Sequence, residues 1–134
     1  VKPETIAFLA KSSELLERAP ALLAQDFTDE AGRAAYLAGF HAAQAFLFEK
    51  LGRSPKTHNG VQTEFARLTR DEPTIDREGR AFLVKTYNLK AIADYETGPD
   101  SRVTHPQAAE AIEGARRFVS LAVALINPGP GAKA

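Results

Sequence analysis

Three small groups of residues in this sequence have the types and spacing that chemistry would need. Arg33 and His41 stand just over two helical turns apart, so on one helix both can face a single groove and hold a phosphate there. The other reading makes His41 a hydrogen-bonded core histidine and pairs Arg33 with a carboxylate such as Asp94, because buried charge is seldom left unpaired. Lys90 and Asp94 are one helical turn apart and can form an ion pair on a shared face, with Tyr95 beside them. To act as a general base, Asp94 would need its pKa raised well above about 4, which a neighbouring lysine opposes. Asp94 and Tyr95 therefore read as a structural network.

The third group, Arg53, Lys56 and His58, precedes the first turn of a short helix, whose unpaired backbone N–H groups and positive dipole end favour an anion. Arg67 and Arg70 could extend that patch. The plainer alternative is a solvated loop in which Thr57 caps the helix. The phosphate- or nucleotide-binding candidates are thus Arg33, His41, Arg53, Lys56, His58 and Lys90, and no residue stands out as catalytic.

Several chemistries are disfavoured by what the sequence lacks. His41, His58 and His105 show no short paired spacing, and His105 beside Pro106 reads as a helix-start residue. Cysteine is absent, which removes thiol catalysis and sulfur-ligated zinc, so neither a metal nor a cofactor is expected. There is no glycine-rich phosphate loop, nucleophile elbow or basic recognition helix. Seventeen basic residues balance seventeen acidic ones, so any anion site must be local rather than a whole basic face.

Helices must position these groups. Proline and glycine punctuate the chain at Gly52 and Pro55, at Pro73, at Gly98 and Pro99 and from Pro128 onward, with helical periodicity between. Long helices are expected near residues 3–24, 28–51, 75–95 and 104–126. Pro20 should kink or shorten the first, Thr28 should cap the second, and Thr104 with Gln107 should form a capping box on the last. A short helix capped by Thr57 or Asn59 is anchored by Val61, Phe65 and Leu68.

The second helix carries small residues from Ala34 to Ala45 on several faces, so other helices can approach its backbone closely. The expected architecture is all-α: an antiparallel up-and-down four-helix bundle with one extra short helix, forming one domain over residues 1–126 and a flexible tail over 127–134. The apolar stretch from Ala34 to Phe48 is too short for a membrane span and no leader pattern precedes it, so a cytoplasmic protein without membrane contact is expected.

The segment from Gly32 to Gln44, with an arginine, aromatics, small residues and Phe40-His41-Ala42-Ala43, resembles the HEPN domain family. Pro55-Lys56-Thr57-His58-Asn59-Gly60-Val61 is similar to the Pro-Lys-Thr-His-x-Gly-Val connection of its small stand-alone prokaryotic subgroup, and Tyr87 to Tyr95 resembles that subgroup's Ala-Asp-Tyr element. The resemblance implies a four-helix bundle, commonly a homodimer, often encoded beside a minimal nucleotidyltransferase in toxin–antitoxin-like modules and associated with RNA or nucleotides. Some relatives are metal-independent ribonucleases, with an arginine and, about a turn later, a histidine late in the third long helix. Here Lys90 and Asp94 stand at that place. The expectation is therefore a non-catalytic binding module; the alternative is a ribonuclease toxin using a displaced histidine, His41 or His58.

Overall fold

The computed structural model describes residues 1–98 and 101–127. Its elements are α1 (Pro3–Ala24), α2 (Thr28–Leu51), α3 (His58–Leu68), α4 (Arg77–Tyr95) and α5 (His105–Ile126), with no strand among the described residues. The expected tail beyond Asn127 lies outside them.

The helix ends follow local chemistry, with one departure from expectation. Thr57, Asp76 and Thr104 each accept a hydrogen bond from the backbone N–H three residues on, and Gln107 completes the box at Thr104. α1 has the expected bounds and runs through Pro20 to Ala24, so of the two effects expected of the proline an early end does not occur. Buried Ala19 and the core-packed Leu15, Leu16, Leu22 and Leu23 hold both sides of the proline in place, so burial outweighs the lost backbone bond.

The departure is at Thr28, which does not cap α2 but is its first, buried residue. The chain reaches it through a tight reversal: Asp26 takes a left-handed φ of 67°, with Phe27 N–H donating to the Leu22 carbonyl and Asp26 N–H to that of Leu23. Asp29 then accepts the Val103 N–H at 2.7 Å, tying the start of α2 to the approach to α5.

Cross-helix contacts fix the directions. Thr5 with Glu49 and Ser12 with the Ala38 carbonyl set α1 and α2 antiparallel. Arg33 with Asp94 and Tyr36 with Tyr87 do the same for α2 and α4, as do Glu78 with Arg117 and Lys85 with Glu110 for α4 and α5. The four long helices thus alternate up and down, with α3 as the extra short helix.

α2 touches every other helix and buries residues around most of its circumference, leaving the stripe of Glu30, Arg33, Leu37, His41 and Gln44 exposed or partly buried. Small side chains permit this: a Cβ placed on Gly39 would overlap the Phe82 ring of α4. Phe46, Phe65, Phe82 and Phe118 form a connected aromatic centre below that crossing.

Candidate functional site

At the opposite end of the α2–α4 contact, the aromatic packing opens into a polar cluster. Arg33, Tyr36 and Phe40 recur at helical spacing on α2, and Tyr87, Lys90 and Asp94 do so on α4, so two antiparallel helices present these faces to each other. His58, the first residue of α3, enters from the side.

The loop before α3 explains how one histidine is held there. Thr57 accepts the Gly60 N–H at 2.9 Å, and a Cβ on Gly60 would press against both the Thr57 hydroxyl and the Pro55 ring. The Pro-Lys-Thr-His-x-Gly spacing is therefore a compact helix start whose first residue points inward. The His58 ring packs against Phe40 at 4.6 Å, Tyr87 at 5.3 Å and Tyr36 at 5.6 Å between centroids.

Nδ1 of His58 lies 2.7 Å from the Tyr36 hydroxyl. Burial pushes the Tyr36 pKa up to about 12, so the hydroxyl stays protonated. Burial first, and then the nearby Lys90 charge, lower the His58 pKa, with Asp94 acting in the opposite sense. A neutral imidazole with its proton on Nε2 accepts from the Tyr36 hydroxyl at Nδ1.

Lys90 has a buried stem, and its ammonium meets Asp94 at 2.6 Å. That hydrogen bond outweighs burial and raises the lysine pKa. Arg33 reaches the same carboxylate at 3.1 Å. The side chains are 11% exposed for Lys90, 23% for Asp94 and 50% for Arg33, so the trio runs from the interior to the surface. The Lys90 ammonium also lies over the Tyr95 ring, 5.4 Å from its centroid.

The structure thus brings together Arg33, His58, Lys90, Asp94 and Tyr95 but leaves other candidates apart. His41 bonds to Gln44 at 2.7 Å, and no hydrogen bond or ion pair joins it to Arg33 among the described residues. Burial, with Lys11 as a further cause, lowers its pKa. Arg53 and Lys56 are exposed on the loop without an ion-pair partner among the described residues, and Arg67 pairs with Glu64 at 2.7 Å. Tyr36 and Tyr87, which line the imidazole, were not among the sequence candidates. Their spacing, one turn from Arg33 and from Lys90, was the available signal.

The HEPN domain profile matches residues 7–126, which takes in all five helices almost completely. The chain belongs to the HEPN domain family. A HEPN-sized relative supports the same relationship: a Methanocaldococcus jannaschii protein named "Putative toxin MJ0605" is 32% identical over 119 residues, spanning 89% of this chain and 86% of its own length. In this HEPN chain, no group of three or more metal-ligating side chains gathers among the described residues, and no helix among them is long and apolar enough to cross a membrane.

Proposed function

We propose that this HEPN chain is the toxin-like member of a toxin–antitoxin-like pair, and that it holds an RNA or nucleotide phosphate at Arg33, His58 and Lys90 without cleaving it. The observation that carries the reading is the balance at Asp94. Lys90 and Arg33 share one carboxylate, leaving the trio with net positive charge beside His58, whose pKa burial and Lys90 lower. Arg33, the more exposed cation, can turn its remaining guanidinium N–H groups to a phosphate, and the exposed Arg53 and Lys56 of the loop before His58 are proposed to meet neighbouring phosphates of the same strand, with His41 outside the cluster.

Cleavage at this place is disfavoured. Lys90 lacks the planar fork that clamps a phosphoryl transition state, and the Asp94 carboxylate repels a scissile phosphate. The toxin-like role is supported by the name of the archaeal relative. A minimal nucleotidyltransferase as partner and a homodimeric state belong to the same reading through the family resemblance, and a cytoplasmic site of action and one functional domain over residues 1–126 are proposed with it from the sequence pattern.

One observation favours a second reading, a ribonuclease using a displaced histidine. Burial and then the nearby Lys90 charge lower the His58 pKa, and Nδ1 is engaged by the Tyr36 hydroxyl at 2.7 Å, so an imidazole favouring its basic form stands near a cation. Mixing purified protein with single-stranded RNA, with and without chelator, separates the two. Binding without cleavage, weakened several-fold by Arg33→Ala and by Lys56→Ala, is the expected result. Chelator-resistant cleavage that disappears in His58→Ala would establish the second reading, and unchanged binding in both cation variants would overturn the phosphate site.

A further inference from the structure

The geometry points to Tyr95 as a stacking platform for an unpaired nucleobase, which makes single-stranded RNA the ligand class of the cluster. This rests on the phosphate reading above and adds to it what the cations alone cannot provide, a means of telling single strands from duplexes.

Tyr95 is the last residue of α4 and, at 72%, more exposed than Val1, Ile6, Phe27, Val84 or Val123, the other exposed large apolar side chains. An aromatic ring left so open is not contributing to the core. It is nevertheless held. The Lys90 ammonium lies over one face, and the Lys90 stem is buried, so the cation that orients the ring is itself fixed. Exposure of this extent leaves the opposite face to solvent. Tyr95 is thus a ring with one face anchored and one face vacant.

What surrounds the ring selects the ligand. Lys90 leads through Asp94 at 2.6 Å to Arg33 at 3.1 Å, so a continuous polar path joins the ring to a half-exposed guanidinium. A flat π-face next to net positive charge fits a base attached to a phosphate. A purely apolar ligand would leave the cations unused, and a simple anion would leave the ring unused. Base stacking needs the base unpaired and turned out, which a single strand offers and an A-form duplex does not. Because every base has a π-face, the site should tolerate sequence.

The chain contains three tyrosines and no tryptophan, so Tyr95→Trp places a single tryptophan at the proposed platform. Titration of that variant with a short oligoadenylate should quench its fluorescence, whereas an abasic ribose-phosphate chain of the same length should bind without quenching. In anisotropy measurements with labelled oligoadenylate, Tyr95→Phe should bind like the parent chain and Tyr95→Leu roughly tenfold more weakly, the loss expected for one stacked base. The duplex of the same oligoadenylate with oligouridylate should bind more weakly than the single strand and lose nothing on Tyr95→Leu. Full affinity in Tyr95→Leu together with weakened binding in Arg33→Ala would overturn the platform and leave the phosphate site standing. Absence of RNA binding by the parent chain would overturn both.

Discussion

The Tyr36 hydroxyl and Nδ1 of His58 lie 2.7 Å apart within a wall formed by Phe40 and Tyr87, which joins α2, α3 and α4 at one polar point. This geometry suits a neutral imidazole. Protonating Nδ1 would set two donors against each other unless the hydroxyl turned away, and Lys90 already supplies positive charge nearby.

Stability should therefore fall on acidification. The folded-state pKa values of His58 and His41 both lie below the ordinary value, His58 through burial and then Lys90, His41 through burial and partly Lys11. The unfolded chain then binds more protons than the folded one once the pH drops below about 6.5, so this contribution is complete above that pH and is lost progressively as pH descends toward the folded values. Urea midpoints should be lower at pH 5.5 than at pH 7.5, and His58→Gln should reduce the difference. An identical pH dependence in His58→Gln and the parent chain would contradict this.

Close approach of α2 and α4 at Gly39 should make that position intolerant of even one methyl group. Alanine normally stabilises a helix by about 1 kcal/mol relative to glycine. Here the added Cβ overlaps the Phe82 ring, so overpacking should reverse the sign and Gly39→Ala should destabilise by about 1–3 kcal/mol. A double-mutant cycle with Phe82→Leu should show favourable coupling, since the smaller side chain yields the space.

Gly39 also marks how far the sequence could be read. The run of small residues on α2 identified the central helix, because small side chains matter only where another backbone comes close, and capping chemistry fixed the starts of α3 and α5. Pro20 and Thr28 could not be judged the same way. The first depends on leucines that pack on either side of it, and the second on a left-handed Asp26 that no helical period reveals. At the site, helical spacing shows that Lys90 and Asp94 share a face, but not that His58, from a different element, would come to rest beside them. That juxtaposition depends on the path of the whole Pro55–Gly60 turn.

That turn supplies a further test. Removing the Thr57 hydroxyl in Thr57→Ala deprives the Gly60 N–H of its partner and should cost about 1 kcal/mol in chemical denaturation. Because His58 is the next residue, the imidazole should also become less ordered, seen as narrowing of the chemical-shift difference between its ring protons and those of a free histidine. Thr57→Ser keeps the acceptor and should restore both. Loss of stability with an unchanged imidazole signal would mean that Phe40, Tyr36 and Tyr87 alone orient His58.

Asp94→Asn should separate stability from binding. The carboxylate joins Lys90 and Arg33, and it is 23% exposed, so its contribution lies between that of a surface ion pair and a buried one. Asparagine still offers an oxygen to the Lys90 ammonium but no longer offsets two cations, and a loss of about 1–2 kcal/mol in folding stability is expected. The same change raises the net charge of the trio by one. If the site binds phosphate, RNA affinity should increase and its dependence on salt should steepen, since an uncompensated cation displaces additional counterion from the RNA. A general base at Asp94 would behave oppositely, with any cleavage abolished and binding little changed. Measuring unfolding free energy, RNA affinity across a salt series and RNA integrity on one preparation of the variant reads all of these outcomes. Weaker binding by Asp94→Asn, with the fold intact, would mean that the carboxylate orients Arg33 and Lys90 for the phosphate rather than competing with it.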